Sequence, residues 1–240
     1  MNNVWHVPPP GREDAHSPVT EDSTETLTRN LQQTITSGTL ARTPLPTCPD
    51  ISLYLISEDY PKGELPQEEM LAIIENPAYW TFCWASGQVL ADYLVREPSI
   101  CAGKSVLDLG AGSGVVAIAA ALAGAGSVTA CDIDPHAIDA CRANALLNGV
   151  NLELLDNLEK LDGKVDLLIA ADVLYDRDNL HWLDSLEQYA DEILIADSRI
   201  RDRSLFASFT LIDECQATTI PDLDELKEFG DVSIYYRQYR

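Results

Sequence analysis

A glycine-rich loop between a short apolar strand and an apolar helix constrains the fold of this chain more than any other feature. Residues 105–109 form the strand, the loop carries glycine at positions 110, 112 and 114, and residues 115–123 are apolar on every side. A segment with no polar face is typical of a helix buried against a sheet. The loop therefore predicts the first strand–helix unit of a doubly wound sheet, where ligands bind beyond the carboxyl ends of the strands.

Strands and helices alternate after this first unit. Further apolar strands are predicted at residues 127–131, 151–155, 165–170 and 192–196, with helices at 134–148 and near 180–189. This alternation predicts an α/β fold with a mostly parallel sheet and right-handed crossovers. No obvious long helix separates the last two apolar runs, at residues 209–213 and 232–239. We therefore expect them to pair as a closing antiparallel hairpin.

The region before the sheet divides into two parts. Residues 1–32 are polar and proline-rich, with little to bury, and are predicted to be a disordered tail. Residues 33–97 are predicted to form an N-terminal cover segment, with a strand at 51–56 and helices at 66–75 and 86–96. Residues 98–240 are then the ligand-binding catalytic domain.

Charge and composition exclude several classes of protein. Acidic residues outnumber basic ones by 39 to 16, which gives a net charge of −23. Such a surface disfavours nucleic acid as the substrate and attracts cations. The chain has no apolar run of transmembrane length and no secretory signal, so no membrane partner and a cytoplasmic location are expected. The six cysteines form no CxxC pair and the four histidines lack ligand spacing, so no metal site is expected.

The glycine loop is an acidic variant of a nucleotide-binding turn. A dinucleotide fingerprint, GxGxxG, needs glycine at position 115, where this chain has Val115. Instead Asp108 lies two residues before Gly110, followed by Gly112 and Gly114. A carboxylate there would oppose a pyrophosphate, but it suits the ammonium and sulfonium end of S-adenosyl-L-methionine. The loop therefore predicts that cofactor.

Two further aspartates follow the next strands of the predicted sheet. Asp132 ends the second strand, at the distance along the chain where an acidic residue binds ribose hydroxyls. Asp156 ends the third strand and is a candidate partner of the adenine amino group, although a turn aspartate is nearly as good an interpretation. Asp134, next to Pro135, is better explained as a helix N-cap.

The block VLDLGAGSGVVAIAAALAGAGSVTACDIDPHAIDACRANALLNGV resembles the Rossmann-like, seven-stranded methyltransferases that use S-adenosylmethionine. The preceding segment PAYWTFCWASGQVLA resembles one found in the electron-transfer-flavoprotein β-subunit lysine methyltransferases and their bacterial relatives. Residues 172–175, DVLY, match the DxxY motif of that group. The resemblance, which runs from about residue 33 to the end, implies a seven-stranded sheet and transfer of methyl groups to protein lysines. It also implies a protein substrate, the flavoprotein β-subunit or the ribosomal stalk protein.

The resemblance assigns the substrate side to Asp172 and Tyr175. A lysine arrives charged, because its ordinary pKa is about 10.4, so it must lose a proton before attack. Asp172 would orient the ammonium, while Tyr175 would add an aromatic wall and a hydroxyl acceptor. Trp84, in the cover segment, would pack on or hydrogen-bond the adenine.

One departure from the family pattern borders this side. The bacterial relatives follow the fifth strand with a Gly-Asp-Pro-Gly-Arg turn, whereas this chain has Ala196-Asp197-Ser198-Arg199-Ile200. That turn borders the substrate side, so the resemblance defines the substrate less closely than the cofactor. Two alternatives to a protein-lysine methyltransferase also stay open. One is an N-methyltransferase acting on a nicotinamide-like small molecule. The other is a catalytically silent cofactor-binding module that serves as an assembly partner.

Overall fold

The computed structural model describes residues 18–60, 66–174, 179, 182–183 and 185–239. Its longer helices are α1 (Pro18–Gln32), α2 (Gln67–Glu75), α3 (Ala85–Arg96), α4 (Val115–Leu122) and α5 (Pro135–Leu147). Its strands are β1 (Leu40–Pro44), β2 (Ser52–Ile56), β3 (Ser105–Leu109), β4 (Ser127–Cys131), β5 (Glu153–Leu155), β6 (Val165–Ala171), β7 (Ala190–Asp197), β8 (Thr210–Gln216) and β9 (Asp231–Gln238).

The main sheet has seven strands in the order β5-β4-β3-β6-β7-β9-β8. Strands β5, β4, β3, β6 and β7 run parallel. Strand β9 enters antiparallel beside β7, and β8 pairs antiparallel with β9. The predicted mostly parallel α/β sheet with a closing antiparallel hairpin is therefore confirmed.

The sheet separates two apolar layers, as alternation along its strands requires. On β3, Val106 belongs to the layer formed with α3 and α4, whereas Leu107 and Leu109 belong to the opposite layer. Helix α4 has no polar face because it is enclosed between the sheet and α3. A Cβ atom added at Gly87 of α3 would lie 3.1 Å from Val115 of α4, so the absence of a side chain there lets the two helices pack closely.

Helix α1 corrects the prediction of a disordered tail over residues 1–32. Leu27 and Leu31 are fully buried, and they pack in one cluster with alanines of α5. Asn30 adds a hydrogen bond from its side-chain amide to Asp139, at 3.1 Å. A segment with few apolar residues can still pack when two leucines one helical turn apart meet a smooth, alanine-rich surface. The correction concerns Pro18–Gln32, since residues 1–17 lie outside the described residues.

Helix α5 also holds the cover segment in place. Strands β1 and β2 form a separate antiparallel pair. The backbone N–H groups of Ser52 and Tyr54 on β2 donate to the side-chain oxygens of Asn148 and Asn144, at 2.9 and 2.8 Å. These bonds satisfy backbone groups that no third strand pairs with. The cover segment is thereby fixed to α5, which begins just beyond the carboxyl end of β4.

Several predicted boundaries shift in the structure. Strand β5 is shorter than predicted, and the described part of residues 180–189 has 3₁₀ geometry at residues 182–183 and at Leu186–Gln188 in place of the predicted α-helix. Asp134 caps α5 as expected, because its carboxylate accepts the His136 backbone N–H at 2.8 Å. Among the described helices, none has the length and apolar composition that a membrane crossing requires.

Candidate active site

A cavity of about 690 Å³ opens at the carboxyl ends of the central strands. The residues that line it come from the cover segment, from the loop after β3, from the loop after β4 and the start of α5, from the end of β6 and the loops after β6 and β7, and from the loop between β8 and β9. They are Asn76, Pro77, Tyr79, Trp80, Trp84, Gly110, Gly112, Asp132, Ile133, Asp134, Pro135, Ala137, Ala171, Asp172, Val173, Arg199 and Glu225. This is the position where parallel α/β sheets bind ligands.

The glycine loop after β3 forms part of the cavity wall with its backbone, because glycine has no side chain. Gly110 has φ of 69°, and a Cβ atom added there would lie 2.7 Å from the Val173 side chain. Gly114 has φ of 80°, with Cys141 only 3.2 Å from where its Cβ would be. Both positions combine left-handed backbone with close neighbours, so glycine is required at each. Gly110 and Gly112 line the cavity, whereas Gly114 lies behind it at the start of α4.

Asp132 connects the loops that follow β3 and β4. One carboxylate oxygen accepts the Gly112 N–H at 2.9 Å, and the other accepts the Asp134 N–H at 3.0 Å. Burial raises the pKa of this carboxyl above its ordinary value. Asp132 therefore fixes the glycine loop and also places a carboxylate on the cavity wall.

Asp108 lies beneath the loop and is not one of the residues that line the cavity. It is 1% exposed, and its carboxylate accepts the Ala117 N–H of α4 at 2.9 Å. Burial, with a smaller contribution from the charge of Asp132, raises the pKa of Asp108 to about 7. The side chain thus joins β3 to the first turn of α4, and it supports the glycine loop without lining the cavity.

Asp172 lies where β6 ends, on the other side of the glycine loop from Asp132, because β3 separates β4 from β6 in the sheet. Its backbone is left-handed, with φ of 51°, which is strained for a residue other than glycine. Oxygen Oδ1 accepts the Ser86 hydroxyl at 2.7 Å and both the N–H and the hydroxyl of Ser198 at 2.9 Å. Oxygen Oδ2 accepts the Ser86 N–H at 3.3 Å. These four bonds hold the carboxylate and the strained backbone in one position.

The turn after β7 supports Asp172 from the next strand. Asp197 is buried, and its Oδ1 accepts the N–H groups of Arg199 and Ile200 at 2.8 and 2.6 Å. Its Oδ2 is buried without a hydrogen-bond partner. Burial is the main cause that raises the pKa of Asp197 to about 6, and the neighbouring charge of Asp172 adds to it. The turn therefore presents Ser198 to Asp172 and turns Arg199 toward the cavity.

Trp84 forms part of the cavity wall. Its indole N–H donates to the Tyr79 carbonyl oxygen at 3.1 Å, so this donor is already used within the cover segment. The ring packs near Tyr79 and Phe82, with both pairs of centroids 5.7 Å apart. The Arg199 guanidinium lies 5.6 Å from its centroid. What Trp84 offers to a ligand is therefore its ring and not its N–H.

The sequence of this chain is similar to those of several methyltransferases. A family model described as ribosomal protein L11 methyltransferase (PrmA) matches residues 93–177. The electron transfer flavoprotein beta subunit lysine methyltransferase of Xenopus laevis is 34% identical over 181 residues, which cover 71% of this chain and 70% of the relative. This chain belongs to that lysine methyltransferase family.

Other members and neighbours match over shorter stretches. The rat protein of the same name is 42% identical over 127 residues, 50% of either chain, so this chain spans about half the length of that relative. The ribosomal protein L11 methyltransferase of Dechloromonas aromatica (strain RCB) is 38% identical over 109 residues, 45% of this chain and 36% of the relative.

Solved structures show that this chain has the Rossmann-like fold of methyltransferases. The ribosomal protein L11 methylase of Lactobacillus delbrueckii subsp. bulgaricus superposes with a TM-score of 0.51 at 24% identity, covering 65% of this chain and 79% of that one. A putative RNA methyltransferase of Pyrococcus horikoshii gives 0.53 at 18% identity, covering 65% and 84%. At these identities the likeness concerns the fold alone.

The structure brings together most of the site residues that the sequence predicts. Gly110, Gly112, Asp132, Trp84 and Asp172 line one cavity. Two others lie behind its wall, and these are Asp108 and Gly114.

Two predicted residues are not brought to the cavity by the described structure. Asp156 is exposed, and its carboxylate pairs with Lys160 at 2.6 Å, which lowers the pKa of Asp156. It is not among the residues that line the cavity. Tyr175 lies outside the described residues. The adenine role of Asp156 and the wall role of Tyr175 therefore stay predictions.

The sequence analysis assigned no role to four residues that shape the cavity around Asp172. They are Ser86, Ser198, Arg199 and Glu225. The altered turn at residues 196–200 was a signal for two of them, because it replaces a proline and a glycine by side chains that can donate hydrogen bonds. Glu225 lies in a loop far along the chain and has no local signature.

Proposed function

We propose that this chain is an S-adenosyl-L-methionine-dependent N-methyltransferase that transfers methyl groups to lysine side chains of a protein. The observation that carries this proposal is one cavity with two unlike ends. Asp132, which braces the glycine loop, lies at one end, and Asp172 lies beyond that loop at the other. Such a cavity can hold a nucleotide-like cofactor beside an amine.

The residues at the first end fit the cofactor. The Gly110 position leaves no room for a side chain, so backbone lies directly against the ligand space. Asp132 offers carboxylate oxygens to ribose hydroxyls. Burial raises the pKa of Asp108 and Asp132, so a ligand that carries positive charge would stabilise their ionised forms. The cofactor, when bound, supplies an electrophilic methyl group on a sulfonium. The chain's own task at this end is to orient it.

The residues at the second end fit an amine. A lysine ammonium would approach the carboxylate of Asp172, which is fixed by Ser86 and Ser198. The carboxylate would orient the nitrogen, and exclusion of water in the cavity would lower the amine's pKa. The ammonium would lose its proton to solvent water as it enters, and the freed lone pair would attack the methyl carbon while the carbon–sulfur bond breaks and S-adenosylhomocysteine leaves. Trp84 would close the cavity over the reacting groups.

The relatives' names favour a protein as the methyl acceptor. Those reported above are named for lysines of the electron transfer flavoprotein beta subunit or for ribosomal protein L11. We therefore propose one of these two proteins as the substrate class. Nothing in the comparisons supports the nicotinamide-like alternative, and the ordered hydrogen bonds at Asp172 favour a catalytic role over a silent module.

Transfer of a labelled methyl group tests the proposal. The chain is incubated with S-adenosyl-L-methionine labelled on the methyl group and with purified flavoprotein beta subunit, ribosomal protein L11 or nicotinamide. We expect label in one of the proteins, and mass spectrometry should place it on lysine. Label in nicotinamide alone would contradict the protein substrate. The absence of transfer from a chain that binds the cofactor would favour the silent module.

A further inference from the structure

A cation of the chain itself occupies an aromatic and acidic slot beside Asp172. The Arg199 guanidinium lies 4.4 Å from the ring centroid of Phe229 and 5.6 Å from that of Trp84. Its Nη2 lies 2.7 Å from Oε1 of Glu225. Two aromatic faces and a carboxylate are the groups that bind a cation in a protein.

The slot is held in shape by groups other than Arg199. The second carboxylate oxygen of Glu225 accepts the Thr219 hydroxyl at 2.7 Å. The indole of Trp84 is fixed by its bond to the Tyr79 carbonyl. The Arg199 and Glu225 side chains are only 20% and 22% exposed, so their attraction is less screened than that of a surface pair. Because the Thr219 hydroxyl holds Glu225 and the Tyr79 carbonyl holds Trp84, the slot would persist if Arg199 left it.

The slot opens on the cavity where the methyl acceptor would enter. Trp84, Arg199 and Glu225 line the same cavity as Asp172, and Arg199 directly follows the serine that donates to Asp172. Among the described residues that line this cavity, Arg199 brings the sole positive charge, beside several carboxylates. Its turn is also the segment in which the sequence departs from the family pattern.

We propose that Arg199 is a specificity-determining gate that keeps isolated amines away from Asp172. The proposal rests on the function proposed above. A guanidinium is charged at every relevant pH, so it repels an incoming ammonium and already uses the groups that would attract one. A lysine in a folded protein brings further contacts that offset the displacement of Arg199. A free lysine or a short peptide brings almost none, so the gate excludes it.

Binding of a minimal lysine probe measures the gate without turnover. N-acetyl-lysine amide is titrated calorimetrically into the protein saturated with S-adenosylhomocysteine. We expect Arg199→Ala to bind this probe about tenfold more tightly than wild type, the scale of one cation–π contact and a partly buried ion pair. In methyl transfer to a short lysine peptide, KM should fall by about the same factor.

Three further variants control for charge and for folding. Arg199→Lys keeps a cation in the slot and should bind the probe as wild type does. Arg199→Gln removes the charge but retains a donor for Glu225, so it should bind more tightly even if Arg199→Ala is unstable. Arg201→Ala removes an exposed cation 5.9 Å from the Phe229 ring that does not line the cavity, and it should change nothing.

The outcomes separate this proposal from the proposed function. Unchanged or weaker probe binding in both Arg199→Ala and Arg199→Gln would overturn the gate, because Arg199 would then be part of the acceptor's wall. Tighter binding in Arg201→Ala as well would overturn it too, since the effect would be general charge repulsion. Tighter binding confined to Arg199→Ala and Arg199→Gln supports the gate. If no protein lysine is methylated by wild type, the proposed function fails by its own assay.

Discussion

The residues that form one end of the cavity lie close together in the sequence, whereas those that form the other end are far apart in it. Gly110, Gly112 and Asp132 belong to one β3-α4-β4 unit, and the interactions that fix them are made largely by backbone N–H groups. At the other end, Asp172 depends on Ser86 from α3 and Ser198 from the turn after β7. A local unit can be encoded by a short motif. An assembly of distant segments depends on the whole fold.

Each end contains a buried carboxyl whose pKa is raised to about 6 or 7, and these two groups give the largest expected effect. The pKa is raised to about 7 for Asp108 and to about 6 for Asp197. Between pH 4 and these values, the folded protein holds protons that the unfolded chain has released. The stability contribution is therefore full below about pH 4 and is lost as the pH rises through 6 to 7.

We expect the urea concentration at the unfolding midpoint of the ligand-free protein to decrease as the pH is raised from 5 to 8. The Asp108→Asn variant should show a smaller decrease than the Asp197→Asn variant. The upper limit for Asp108 is about 4 kcal/mol, at roughly 1.4 kcal/mol per pH unit. Repulsion among the other carboxylates also lowers the stability as the pH rises, so the test is the difference between each variant and wild type. A larger flattening by Asp197→Asn would reverse the order of the two ends.

A second expectation concerns the chemistry at the substrate end. Asp172→Asn keeps the size of the side chain but removes its charge, and it turns an amide N–H₂ toward the donors Ser86 and Ser198. Turnover should fall by a factor of about 100 or more, the scale of losing a charge-assisted contact in the transition state. Affinity for S-adenosylhomocysteine, measured by calorimetry, should change little.

Ser198→Ala is the matched control for that variant. It removes one hydroxyl but keeps the Ser198 N–H bond to Asp172, so its loss of turnover should be about tenfold or smaller. If Asp172→Asn turns over at the wild-type rate, Asp172 is only part of the fold. If it loses cofactor affinity together with turnover, the division of the cavity into two ends is wrong.

The same contrast explains what could be predicted from the sequence. The order of strands and helices, the glycine loop and Asp132 follow from patterns within single β-α units, where apolar periodicity and backbone geometry act locally. Helix α1 was missed because its composition is polar, and only the alanine face of α5 makes the burial of Leu27 and Leu31 favourable. That face is a tertiary feature.

The substrate end was predicted only in part for a similar reason. Asp172 was found through its motif, but its four hydrogen bonds come from segments before and after it in the chain. Likewise, the pairing of Arg199 with Glu225 depends on how the loop between β8 and β9 folds back over the turn after β7. No local pattern encodes such a meeting of loops.

The smallest effect is expected at the cofactor end, where several groups share the ligand. Asp132→Ala removes the proposed ribose contact and the brace on Gly112, so affinity for S-adenosyl-L-methionine should fall about tenfold, or roughly 1.4 kcal/mol. Asp156→Ala is the matched control, because that carboxylate is exposed and paired with Lys160. Calorimetry on both variants compares one aspartate that lines the cavity with one that does not. Equal affinity in Asp132→Ala and wild type would remove Asp132 from the site. Weaker binding in Asp156→Ala would support the predicted contact between Asp156 and adenine, and the cofactor site would then extend beyond the residues that line the cavity.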